Sequence, residues 1–136
     1  MAAIPDEARA LLQRKAYGHV VTRNKNGTPQ VSMVWMDVDG DEVLFNTADG
    51  RLKVNNLRRD PHVIISVQDT ENTQQYLLVH ATATITADGA DEQIDRLAKK
   101  YLDLDSYPWR QSDEPRLIVR CAVERIGGAG PWAGGP

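Results

Sequence analysis

Two turn dipeptides, Asn26-Gly27 and Asp39-Gly40, punctuate the β-rich run HVVTRNKNGTPQVSMVWMDVDGDEVLFNT, and no other feature constrains the chain as much. Such pairs tolerate the positive-φ geometry of tight hairpins, so the run reads as three antiparallel strands in a meander. Three further segments share the β-branched, alternating character of strands: HVIISVQD, QYLLVHATATITA and PRLIVRCAVERI. Helical spacing is confined to short stretches. Residues 6–15 place Ala8, Leu11 and Leu12 together behind Pro5 and two acids, with Gly18 expected to break the helix. Residues 90–102 put Ile94, Leu97, Ala98 and Tyr101 on one face. RLKVNNLRRD suits a brief basic helix that Asp60-Pro61 would stop.

Six strands without regular β-α-β alternation exclude a doubly wound sheet, and a mainly β, six-stranded barrel with short helices fits instead. With 136 residues and 41% apolar composition, one core is expected. The organisation predicted is a β-barrel domain over residues 1–126, followed by a loose Gly/Pro-rich tail, residues 127–136. A barrel this small has little internal room, so a ligand site would lie on its outer face or between two subunits.

The net charge of -3 provides no basic field for nucleic acid, and no apolar stretch approaches the roughly 20 residues of a bilayer span. Neither nucleic acid nor membrane is an expected partner. The N-terminus has no uninterrupted apolar region of the secretory kind, so a cytoplasmic location is predicted. Cys121 is the one cysteine, set in the apolar run LIVRCAV, and reads as a buried structural thiol. Three scattered histidines make no metal set.

The chemistry concentrates at residues 41–61, DEVLFNTADGRLKVNNLRRDP. Asn46 and Thr47, the Gly50 turn, and Arg51 and Lys53 at a helix start are the parts a phosphate needs: outward amides with partial positive charge, a planar fork of donors and a point charge. The same residues also fit a solvated basic turn paired with Asp49 or Asp60. In the preceding strand, alternation puts Gln30, Ser32 and Val34 on one side and Val31, Met33 and Trp35 on the other. If Val31 and Met33 face the core, Gln30, Ser32 and Val34 form an outward ledge suited to a flat heteroaromatic ring.

The pattern TPQVSMVWMDVDGDEVLFNTADGRLKVNNLRRDPHVIISV resembles the pyridoxamine 5′-phosphate oxidase-like split β-barrel superfamily, and within it the actinobacterial F420-dependent flavin/deazaflavin oxidoreductases. The likeness spans about residues 8–126 and rests on the order of GTPQVSMVW, LFNT and KVNNLRRDP. It implies a homodimer of split barrels with two cofactor sites at the subunit interface, taking coenzyme F420 or, alternatively, FMN. It also implies an F420-dependent reductase passing hydride to an electron-poor small molecule such as an enone, quinone or tetrapyrrole. The alternatives are an FMN oxidoreductase of the same fold and a non-catalytic F420 carrier. By position, Gln30, Ser32, Val34 and Trp35 match the strand along the ring, and Asn46, Thr47, Arg51 and Lys53 the phosphate corner. Gln75 and Tyr76 match a polar strand opening, and Trp109 and Arg110 a lid closed by the second subunit. Arg58 and Arg59 could meet a polyglutamate tail. The pyridoxamine oxidases' C-terminal substrate-binding Arg and His have no counterpart here, so pyridoxamine phosphate is not the expected substrate. No catalytic side chain is obligatory; His80 and Tyr76 are candidate proton donors beside solvent.

Overall fold

The computed structural model describes residues 2–133. The chain runs α1 (Asp6–Gln13), β1 (Tyr17–Arg23), β2 (Pro29–Trp35), β3 (Asp37–Asp39), β4 (Glu42–Ala48), α2 (Leu52–Arg59), β5 (His62–Gln68), β6 (Tyr76–Thr86), α3 (Ala90–Leu102) and β7 (Arg116–Ala129), then a 3-10 turn at Pro131–Ala133. The strands form one antiparallel sheet in the order β2-β1-β5-β6-β7-β4-β3. Its two outer strands are successive pieces of the single segment 29–39, so the sheet curls until both of its ends lie on one stretch of chain. This is the split barrel, mainly β with short helices.

Among the described residues the strand count is seven rather than the six expected, and Met36 is the reason. Its side chain is fully buried, and its backbone leaves the ladder: the N–H donates to the Tyr101 hydroxyl at 2.8 Å and the carbonyl accepts from Lys100 Nζ at 2.8 Å. Gly18, expected to break a helix, lies inside β1 for the same reason. A Cβ there would come within 2.2 Å of Met36 Sδ. The helix instead ends at Gln13 and buries Ala8, Leu11 and Leu12 as the spacing predicts.

Inside the barrel, Phe45, Ile65, Val79, Val119 and Cys121 are fully buried. Burial pushes the Cys121 thiol up to about 12, which keeps it protonated and unreactive. Between β6 and β7 the register jumps at His80/Ala81, leaving Glu124 opposite no partner, a bulge that bends the long pair.

Two expectations are corrected. Residues 127–129 are not a loose tail but the end of β7, paired with Tyr76, Leu77 and Leu78. Trp132 is also buried, its Nε1 donating to the Tyr76 carbonyl at 3.0 Å; residues 134–136 of the expected tail lie outside the described residues. The faces of β2 are reversed as well. Val31 and Met33 are 56% and 54% exposed, while Val34 is buried. The ledge residues Gln30 and Ser32 are turned inward with it. Alternation identifies two faces but not which one meets the core.

Candidate functional site

The corner between β4 and α2 is made by Asp49, Gly50 and Arg51. Gly50 takes φ +91°, a turn conformation that costs a side-chain-bearing residue strain. Asp49 Oδ1 accepts from the Gly50 amide and from Arg58 Nη1, each at 2.9 Å, and the Arg58 guanidinium holds the Asp49 carboxyl below its usual range. Asp49 N–H donates to the Pro115 carbonyl at 2.8 Å, which ties the corner to the start of β7. Arg51 is the N-cap of α2, so Leu52 and Lys53 open the helix and its outward amides.

A hollow of about 180 Å³ lies beside this corner. One wall is cationic: Arg51 and Lys53 from the corner and Arg116 from β7. Arg51 pairs with Glu114 at 3.2 Å. Lys53 and Arg116 make no ion pair among the described residues. Burial, reinforced by the guanidinium groups of Arg51 and Arg116, holds the Lys53 ammonium below its ordinary value; burial likewise lowers Arg116. Glu114, paired with Arg51, is the carboxylate that acts on Arg116, and an anion joining Lys53 and Arg116 would offset the repulsion that remains. An aromatic wall adjoins these cations, the Arg116 guanidinium lying over the Tyr107 ring. Trp35 stacks on Tyr101 with centroids 5.0 Å apart, Tyr107 meets Trp35 edge-on at 6.1 Å, and Trp109 meets Tyr107 edge-on at 5.7 Å. Met33, Val34, Ile94 and Leu97 complete an apolar floor. Such a site can bind a ligand with an anionic end and a flat apolar body.

A model of the pyridoxamine 5′-phosphate oxidase family matches residues 4–128. The chain belongs to that family. Among solved structures it is similar to an F420 reductase, at 29% identity and a TM-score of 0.80, covering 91% of this chain and 98% of that one. It shares its fold with Group A Streptococcus HupZ, at 20% identity, a TM-score of 0.65 and coverage of 96% and 97%. A conserved hypothetical protein of Mycobacterium tuberculosis has that fold too, at 21% identity, a TM-score of 0.68 and coverage of 93% and 85%.

Within this family member, the hollow brings together Val34, Trp35, Asn46, Thr47, Arg51, Lys53 and Trp109 of the residues singled out in the sequence. Asn46 is committed internally: Nδ2 donates to the Ala90 carbonyl and Gln93 Oε1, and Oδ1 accepts from Arg116. Gln30 does not line the hollow; its Oε1 accepts from Thr22, which receives a bond from Asn56. Ser32 Oγ is buried and has no partner among the described residues. Arg110 is spent on Asp91 at 2.6 Å and Asp95 at 2.9 Å, outside the hollow. Tyr76 lies in one row with Trp35 through Tyr17 and Gln68, three strands away. At the usual strand spacing that is about 14 Å, so neither Tyr76 nor the adjoining Gln75 shares this wall in one chain. His80 lies beside Arg125, also away from the hollow. Of the tail-binding candidates, Arg58 is paired with Asp49 and Arg59 with the Arg23 carbonyl.

Arg116 and Tyr107 were not singled out in the sequence, and both line the hollow. The available signal was a charged residue opening the largely apolar strand PRLIVRCAV. A second hollow of about 320 Å³ lies over β1, β5 and β6. Of its charged side chains Arg23 pairs with Asp60, which also meets His62, and Glu124 accepts from the Thr82 hydroxyl, so it offers no comparable demand for an anion. Among the described residues no helix is long and apolar enough to cross a membrane, and no cluster of His, Cys, Asp and Glu could hold a metal.

Proposed function

We propose that this protein is a cytosolic oxidoreductase that works with coenzyme F420 and reduces an electron-poor small molecule such as an enone, quinone or tetrapyrrole. The observation that carries the reading is the pair of half-buried cations, Lys53 and Arg116, neither in an ion pair among the described residues, beside an aromatic wall. Similarity to the F420 reductase supports the choice of cofactor. Lys53 and Arg51 would hold its phosphate with the Thr47 hydroxyl, while Trp35 and Tyr107 shield the ring end from water. The bound deazaflavin supplies the hydride, and the protein supplies position and electrostatics. Solvent is the proton donor in this reading.

The reading includes a homodimer with the cofactor between subunits, which would bring Gln75 and Tyr76 of one copy toward the hollow of the other. Support comes from the apolar side chains left exposed on one face of the sheet, Tyr17, Val31, Met33, Ile64 and Tyr76. Sedimentation should give twice the chain mass, and Met33→Glu should shift it to the monomer.

Titration of the purified chain with F420 and with FMN tests the cofactor. Submicromolar FMN binding with no response to F420 would overturn it and favour the FMN enzyme. Oxidation of reduced F420 by enones, quinones or tetrapyrroles tests turnover; tight binding with every acceptor inert would favour a carrier.

Lys53 also sets a pH dependence. The anion needs the ammonium form, and in the unliganded protein Lys53 loses its proton below the ordinary lysine value of 10.5. Affinity should therefore fall as pH rises through that lowered value, releasing the contact earlier than an exposed lysine would. Lys53→Arg should abolish the fall. A profile in the parent chain that falls no earlier than that of an exposed lysine would count against the contact.

A further inference from the structure

Arg116 opens β7 and pairs in register with Ala48, two residues from Asn46. Its Nε donates to Asn46 Oδ1 at 2.8 Å, and its guanidinium lies 5.0 Å from the Tyr107 ring centroid. The Asn46 carboxamide has no freedom to turn. Its Nδ2 is fixed by the Ala90 carbonyl at 2.8 Å and Gln93 Oε1 at 3.0 Å, so its oxygen must face Arg116. Gln93 is held in turn by Asp37, to which Arg96 also binds at 2.9 Å. A chain of buried amides thus fixes one edge of the guanidinium. Arg116 lines the hollow, and its two Nη groups have no protein acceptor among the described residues. A planar fork held at one edge and open at the other is pre-organised for two oxygens of one phosphoryl group.

We infer that Arg116 is a third anion-binding arm of the hollow, aimed at phosphoryl oxygens, and that Asn46 is the residue that positions it. The inference rests on reading this hollow as the cofactor's phosphate site. It reassigns Asn46 from a direct ligand to a support, and it makes the site a composite of a local corner and a distant strand.

The test is calorimetric titration of the full chain and its variants with F420, FMN and inorganic pyrophosphate. Arg116→Ala should weaken the bound probe about 10- to 100-fold, the effect of one charge-assisted contact. Arg116→Lys keeps the charge but cannot donate to Asn46 and offer a fork together, so it should recover only part of the loss. Asn46→Ala should weaken binding in the parent chain and add nothing in the Arg116→Ala background, because it acts through that arginine. Additive losses would make Asn46 merely structural and overturn its role. Where Asn46→Ala fails to fold, the Arg116→Lys loss carries the test alone. Unchanged affinity in Arg116→Ala, with Lys53→Ala weakened, would overturn the inference and leave the hollow as the phosphate site. Unchanged affinity in both, or no binding of any probe, would remove the hollow itself.

Discussion

Lys53→Ala is expected to weaken cofactor binding about 10- to 100-fold, the loss of one charge-assisted contact of about 1.5–3 kcal/mol. The unliganded protein should be no less stable. Lys53 makes no ion pair among the described residues, its charge is penalised by burial, and Arg51 and Arg116 repel it. Removing it relieves the cluster in the absence of ligand and damages the site only when an anion is present. Thermal unfolding with and without cofactor separates the two: an unchanged or raised midpoint for the free variant, and a lost ligand-induced shift. A variant that melts early on its own would show Lys53 to be a structural residue.

Gly128→Ala should destabilise the fold by about 3 kcal/mol, from strained backbone combined with overpacking. Gly128 has φ +95°, and a Cβ there would stand 2.3 Å from the Tyr76 carbonyl oxygen and 3.1 Å from the Leu78 nitrogen. Both obstacles are backbone in the adjoining strand, so neither can swing away as a side chain would. For a chain of this size the melting midpoint should drop by about 10 °C. Gly127→Ala is the control. Nothing lies within 4 Å of a Cβ there, and loss of unfolded-chain freedom should leave stability unchanged or slightly raised. Equal midpoints for the two variants would mean that β6 and β7 do not approach as closely as described.

These two positions also mark where the sequence was legible and where it was not. The corner was readable because its parts are local: a strand ending in Asn46-Thr47, a glycine turn and a basic helix start. Its completion was not, because Arg116 reaches Asn46 only through the pairing of β4 with β7, which no local pattern announces. Gly128 was misread for the opposite reason. A Gly/Pro-rich run signals a loop by composition, whereas here the missing side chain allows two backbones to touch. The hairpins and the buried faces of α1 and α3 followed from turn chemistry and spacing. The faces of β2 did not follow, since Val31 and Met33 are as apolar as core residues yet lie outside, on the face read here as the dimer contact.

In the proposed function the hollow beside Lys53 takes the phosphate of the cofactor. A crystal structure of the protein grown with F420 tests it most directly. Phosphate oxygens within about 3 Å of Lys53 Nζ and of the Arg116 guanidinium are the predicted result. A phosphate seated elsewhere, for example over β1 and β5 beside Arg23 and His62, would contradict it.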